Sequence, residues 1–164
     1  MSAGFTTFAE AISFAVMREE DAQAFYRDLA AKMEDPFMRQ IFIDFAEEES
    51  RHKQLLESLD IKAMSRLFDN LTKKIDDIGI SENPPSVSSG TGMSLRDALM
   101  LAMKREEKSQ NLYSLLAEST SDNDLSLLFV GLAREEAGHR LRIEKTYQKL
   151  FAGKPSPATR DPAV

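Results

Sequence analysis

The sequence predicts an all-α four-helix bundle made of two similar helical hairpins. Three observations lead there. The chain repeats itself without gaps at an offset of 87 residues, so that residues 7–52 match residues 94–139. Each copy carries two long apolar stripes at helical spacing, separated by cap and turn residues. Each of the four stripes is interrupted near its middle by a single carboxylate.

The repeat maps Arg18-Glu19-Glu20 onto Arg105-Glu106-Glu107, Tyr26 onto Tyr113 and Phe42 onto Phe129. It also maps Glu48-Glu49 onto Glu135-Glu136 and His52 onto His139. Two copies are too few for a solenoid, so paired hairpins are the economical reading. Thr7 with Glu10, and Ser94 with Asp97, have N-cap and N3 spacing before an apolar run. Asp35-Pro36 reads as an N-cap followed by proline at the first helical position. Asp122 or Asp124 takes that part in the second copy. Helices are therefore expected at about 7–33, 36–59, 94–119 and 123–151, with Gly153 and Pro155 ending the last and 154–164 forming a mobile tail. Residues 60–93 join the hairpins. Ile61, Met64, Phe68, Leu71, Ile75 and Ile78 keep helical spacing, which predicts a short helix over much of 62–78, followed by a loop through Asn83-Pro84-Pro85. So long a connection suits a crossover along the bundle rather than a turn between neighbours, which is the ferritin-like topology. Residues 1–153 are read as one domain.

Composition narrows the chemistry. The chain has 164 residues, enough for one domain with its own core, and no cysteine. Disulfides, thiolate zinc sites and iron–sulfur clusters are thereby excluded. A formal charge of −6 with no basic stripe argues against nucleic acid. No uncharged apolar run approaches membrane-spanning length, and Met1–Phe14 lacks the basic start of a signal peptide. No membrane association and a cytoplasmic location are the expectation.

The core stripes carry the functional signal. In the first helix the stripe is Phe8, Ile12, Ala15, Glu19, Ala22, Tyr26, Leu29 and Met33. In the second it is Met38, Phe42, Phe45, Glu49, His52, Leu56 and Leu59. The third runs Leu95, Leu99, Ala102, Glu106, Ser109, Tyr113 and Leu116. The fourth runs Leu125, Phe129, Leu132, Glu136, His139, Ile143, Thr146 and Leu150. Glu19 and Glu49 lie equally far from the turn near residue 34, as Glu106 and Glu136 do from the turn near 121. At about 1.5 Å per residue that height is roughly 22 Å. Four carboxylates and two imidazoles thus converge on one layer. Unpaired buried carboxylates cost several kcal/mol each and repel one another, and no Lys or Arg occupies the stripes. Two divalent cations would neutralise the layer. Mixed oxygen and nitrogen donors suit iron or manganese, and zinc also binds such sets. The i,i+3 spacing of Glu49 with His52, and of Glu136 with His139, places each pair on one helix face.

Glu19–Tyr26 and Ala46–His52, with their copies Glu106–Tyr113 and Ala133–His139, resemble the di-iron domain of rubrerythrin over about residues 7–151. The resemblance implies Glu19 and Glu106 as terminal ligands, Glu49 and Glu136 as bridges, and His52 and His139 as caps of two iron ions. It further implies Tyr26 and Tyr113 as hydrogen-bond donors to ligating carboxylates, one for each half. It also implies a non-haem oxidoreductase that oxidises Fe(II) or reduces O2 or peroxide with an external electron donor. Rival expectations are iron storage or delivery, a structural bundle holding zinc, and an oxygenase. Two departures from rubrerythrin are visible: no cysteines for a rubredoxin iron, and Ser109 and Lys108 where a further helix-three glutamate is expected. Bundles of this kind often dimerise, although no stripe identifies an interface.

Other repeated residues receive plainer readings. Glu20, Glu48, Glu107 and Glu135 point about 100° away from the ligand positions and are expected on a solvated face. Arg18 and Arg105 are expected in helix-surface ion pairs, and Gly138 in a close approach of a neighbouring helix.

Overall fold

The computed structural model describes residues 7–64 and 94–153. Its elements are α1 (Phe8–Lys32), α2 (Pro36–Glu57), a one-turn α3 (Ile61–Met64), α4 (Leu95–Glu118) and α5 (Asn123–Phe151). The described residues contain no strand. The crossover beyond Met64, including most of the expected 62–78 helix, and the 154–164 tail lie outside the described residues.

Each long helix begins at a side-chain cap. Thr7 accepts from the Glu10 amide, Asp35 from Met38, Ser94 from Asp97 and Asp122 from Leu125. Of the two candidates in the second copy, Asp122 is the cap and Asp124 lies in the first turn, where its charge favours the helix dipole. Gly153 follows the last helix at φ +79°, a left-handed conformation open to glycine without steric cost.

α1 packs along α2, α4 along α5, and α1 also meets α4. The apolar core falls into two clusters. One gathers Phe8, Ile12, Leu56, Leu116, Leu125 and Phe129, and the other Phe25, Leu29, Phe42, Phe45, Leu99 and Ile143. Between them lies a polar layer contributed by all four long helices. The predicted stripes are buried along most of their length, but Leu150, in the last turn of α5, is 40% exposed. Arg18 and Arg105 also depart from expectation. Both are buried, and their Nε atoms have no hydrogen-bond partner. Arg18 donates to the Arg105 carbonyl and lies over the Phe14 ring, while Arg105 lies over the Phe25 ring. They are packed between α1 and α4, where their stems cover apolar surface, and are not surface ion pairs.

Leu116 is fully buried and Leu127 is 68% exposed. Leu116→Ala should cost about 2–5 kcal/mol in chemical denaturation, whereas Leu127→Ala should stay within about 0.5 kcal/mol of the parent.

Candidate metal centre

Helical spacing delivers one glutamate from each long helix to the polar layer, and one histidine each from α2 and α5. Glu19, Glu49, Glu106, Glu136, His52 and His139 are all between 1% and 3% exposed. Their donor atoms form two overlapping groups, each within 4.8 Å across. One comprises Glu19, Glu49, His52 and Glu136, and the other Glu49, Glu106, Glu136 and His139. Glu49 and Glu136 belong to both. All six residues singled out from the sequence are thus brought together.

The inward atoms face one another without hydrogen bonding. His52 Nδ1 lies 3.0 Å from Glu136 Oε1, and His139 Nδ1 lies 3.0 Å from Glu49 Oε1. Yet all four atoms are buried without a hydrogen-bond partner. Buried polar atoms left this way are costly. A pair of cations accepting their lone pairs removes that cost, so the donor set fits two metal ions. Without metal, protons must take their place. Burial pushes Glu49 upward, against the pull of His139 and His52. Burial, then the charges of Glu49, Glu106 and Glu19, pushes Glu136 well above the carboxylate range. Burial opposes the charged imidazoles, but the surrounding carboxylates (Glu136, Glu19 and Glu49 about His52; Glu106, Glu136, Glu48 and Glu49 about His139) raise both above the histidine range.

A second ring of hydrogen bonds holds these side chains, and every bond in it joins the two halves of the repeat. The Tyr26 hydroxyl donates to Glu106, and the Tyr113 hydroxyl donates to Glu19. Burial, then the neighbouring carboxylates, pushes both phenols well above their ordinary range, so they remain donors. Each tyrosine therefore serves the glutamate of the opposite half. His52 Nε2 pairs with Glu135 at 2.6 Å, and His139 Nε2 pairs with Glu48. Glu48 and Glu135 are thus not merely a solvated face, as expected from the helical wheel. They reach across from the facing helix and leave each Nδ1 turned inward. Their retention in both copies, always four residues before the histidine, was the available signal. Glu20 and Glu107 do lie at the surface, 64% and 57% exposed, within 3.4 Å of Lys53 and 3.9 Å of Arg140 respectively.

A cleft of about 550 Å³ opens between α2 and α5 over the outer edges of the two imidazoles. Gly138 lines it, and a Cβ added there would meet nothing within 4 Å. The glycine therefore leaves space in the cleft and does not mark a close helix approach. Phe45 packs on the His139 ring, with Tyr26 and Phe42 packed against Phe45 in turn.

These features define a ferritin-like bundle with a buried Glu and His cluster that could hold metal ions. The rubrerythrin family model matches residues 10–86 and 97–162, and the chain belongs to that family. Among solved structures it is similar to a Thermotoga maritima protein described as a candidate ferritin-like diiron-carboxylate protein. The TM-score is 0.64 at 16% identity, with 90% of this chain and 98% of that chain covered. That likeness shows the fold. No curated protein matches the chain. Among the described residues no helix is long and apolar enough to cross a membrane.

The protonated cluster sets a pH dependence. His52, His139, Glu49 and Glu136 hold protons that an unfolded chain would release, so the folded metal-free protein binds more protons and loses stability as pH rises. Glu48, held low by its bond from His139, titrates below this window. Metal displaces the protons and reverses the sign. The Tm of metal-free protein should fall between about pH 5 and 8, and with saturating Zn(II) it should rise over the same range. Calorimetry at several pH values reads both slopes.

Proposed function

We propose that the six residues hold two iron ions, and that the chain is a non-haem di-iron oxidoreductase that oxidises Fe(II) or reduces O2 or peroxide. The observation that carries this is the doubled donor set. Two overlapping four-residue groups share Glu49 and Glu136, and the Nδ1 atoms of His52 and His139 and one oxygen each of Glu49 and Glu136 are buried there with no hydrogen-bond partner. Glu19 and His52 would complete one position, Glu106 and His139 the other. Two Fe(II) ions held by these residues would supply the two electrons that reduction of peroxide to water requires.

The protein's own contribution is positioning and proton control. Tyr26 and Tyr113 hold Glu106 and Glu19 from behind, which fixes one oxygen of each while the other faces the centre. Glu48 and Glu135 keep the outer imidazole protons in place, so that Nδ1 remains the donor. The cleft between α2 and α5 gives small molecules and protons a path to the imidazole edges. Buried Phe42, Phe45 and Phe129 close the layer above and below against water. An external electron donor and a cytoplasmic setting complete the reading. Manganese or zinc would suit the same donors.

A second reading is iron storage or delivery without fast turnover. Ser109 favours it, since a half-buried serine stands where a further glutamate would support ligand exchange. Stopped-flow mixing of the Fe(II)-loaded protein with O2 and with peroxide separates the two. Ferric absorption should grow faster than for Fe(II) in buffer, and Glu49→Ala should lower that rate by at least about 100-fold. Bound iron that oxidises no faster than free iron would leave storage or delivery as the function.

A further inference from the structure

The repeat makes the two metal positions nearly equivalent, and the places where it fails make them different. Three substitutions between the copies cluster around the histidine–carboxylate pairs. Arg51 of the first copy corresponds to Gly138, Leu55 to Arg142, and Phe45 to Leu132. All three favour the same pair. Beside His139, Glu48 is 26% exposed and has Arg142 within 3.4 Å and Arg51 within 3.9 Å. Arg142 lies 4.4 Å over the Phe45 ring, and the same ring packs on His139. Glu48 is thus held from its own helix and from the facing one. Beside His52, Glu135 is 62% exposed. Its counterpart positions are Gly138 and Leu55, neither of which brings a cation. Among the described residues Glu135 pairs only with His52.

We propose that the two metal positions bind unequally: the position capped by His139 is the tight one, and the position capped by His52 is the exchangeable one. The inference rests on the two-metal reading of the cluster and assigns different work to its halves. The physical reason is preorganisation. A carboxylate held by two guanidiniums keeps His139 Nδ1 aimed inward before metal arrives. An exposed carboxylate shares its hydrogen bond with water and lets the His52 ring move. The positive charge of the arginines acts in the opposite sense, repelling a cation. Both guanidiniums are well exposed, at 70% for Arg51 and 45% for Arg142, and water screens them. Positioning therefore prevails. The other supports do not discriminate, because Tyr26–Glu106 and Tyr113–Glu19 are equivalent in the two halves.

The test uses Co(II), which binds mixed carboxylate and imidazole donors and is stable in air. The whole protein is crystallised with one equivalent per chain, and anomalous scattering locates the metal. The expected result is a peak beside His139 with little beside His52, and both positions filled at excess Co(II). A peak beside His52, or equal occupancy of the two positions, would overturn the proposal while leaving the two-metal reading intact. No peak at either position under excess metal would sink the two-metal reading itself. Calorimetric titration adds variants that retain all six ligands. Glu48→Ala should weaken the tight step roughly 10–100-fold, and Glu135→Ala should change the weak step by less than about threefold. Gly138→Arg restores the missing cation in space that is open and should narrow the gap between the steps. A gap unchanged by Gly138→Arg together with equal effects of the two alanine variants would also overturn the proposal.

Discussion

Four carboxylates share one buried layer at the middle of this bundle, and their mutual repulsion is the constraint on which the rest depends. An apolar core would tolerate one protonated glutamate. Four together demand neutralisation, by protons or by metal, and the surroundings are arranged for it. Phenol hydroxyls donate to two of the carboxylates. The imidazoles turn their Nδ1 atoms toward the others. The apolar clusters on either side keep the layer dry enough for these interactions to be strong.

The layer also joins the hairpins. Within each hairpin the helices pack extensively, whereas the hairpins themselves meet mainly where α1 faces α4. Every hydrogen bond that orients a layer residue crosses that division: tyrosine to glutamate between α1 and α4, histidine to glutamate between α2 and α5. The site and the tertiary fold are therefore mutually dependent. Where the repeat is exact, the two halves supply equivalent supports. Where it departs, at Arg51 and Gly138 or Leu55 and Arg142, the supports differ.

Most of the fold, and the grouping of the six layer residues, was legible in the sequence because both follow from periodicity within single helices. A stripe of period 3.6 fixes which side chains turn inward, and equal distance from a turn fixes which lie level. What was not legible depends on how one hairpin meets the other. Glu48 and Glu135 lie off the stripe by a helical wheel, yet the facing helix brings a histidine to each. Arg18 and Arg105 read as surface residues by their charge, but α1 and α4 enclose their stems. Gly138 suggested a close helix contact, but it borders the cleft, because α2 and α5 stand apart there. Exact retention in both copies was the one sequence signal common to the glutamates and arginines, and it marked them as constrained without saying by what.

On the proposed reading, the layer serves to hold two metal ions. Anaerobic titration of the metal-free protein with Fe(II), followed by equilibrium dialysis and metal analysis, tests it most directly. Saturation at two irons per chain is expected in the parent, and loss of saturable binding in a Glu49→Ala, Glu136→Ala double variant that keeps its helical circular dichroism. Failure of the parent to bind iron or any divalent metal saturably, or unchanged stoichiometry in the double variant, would contradict it.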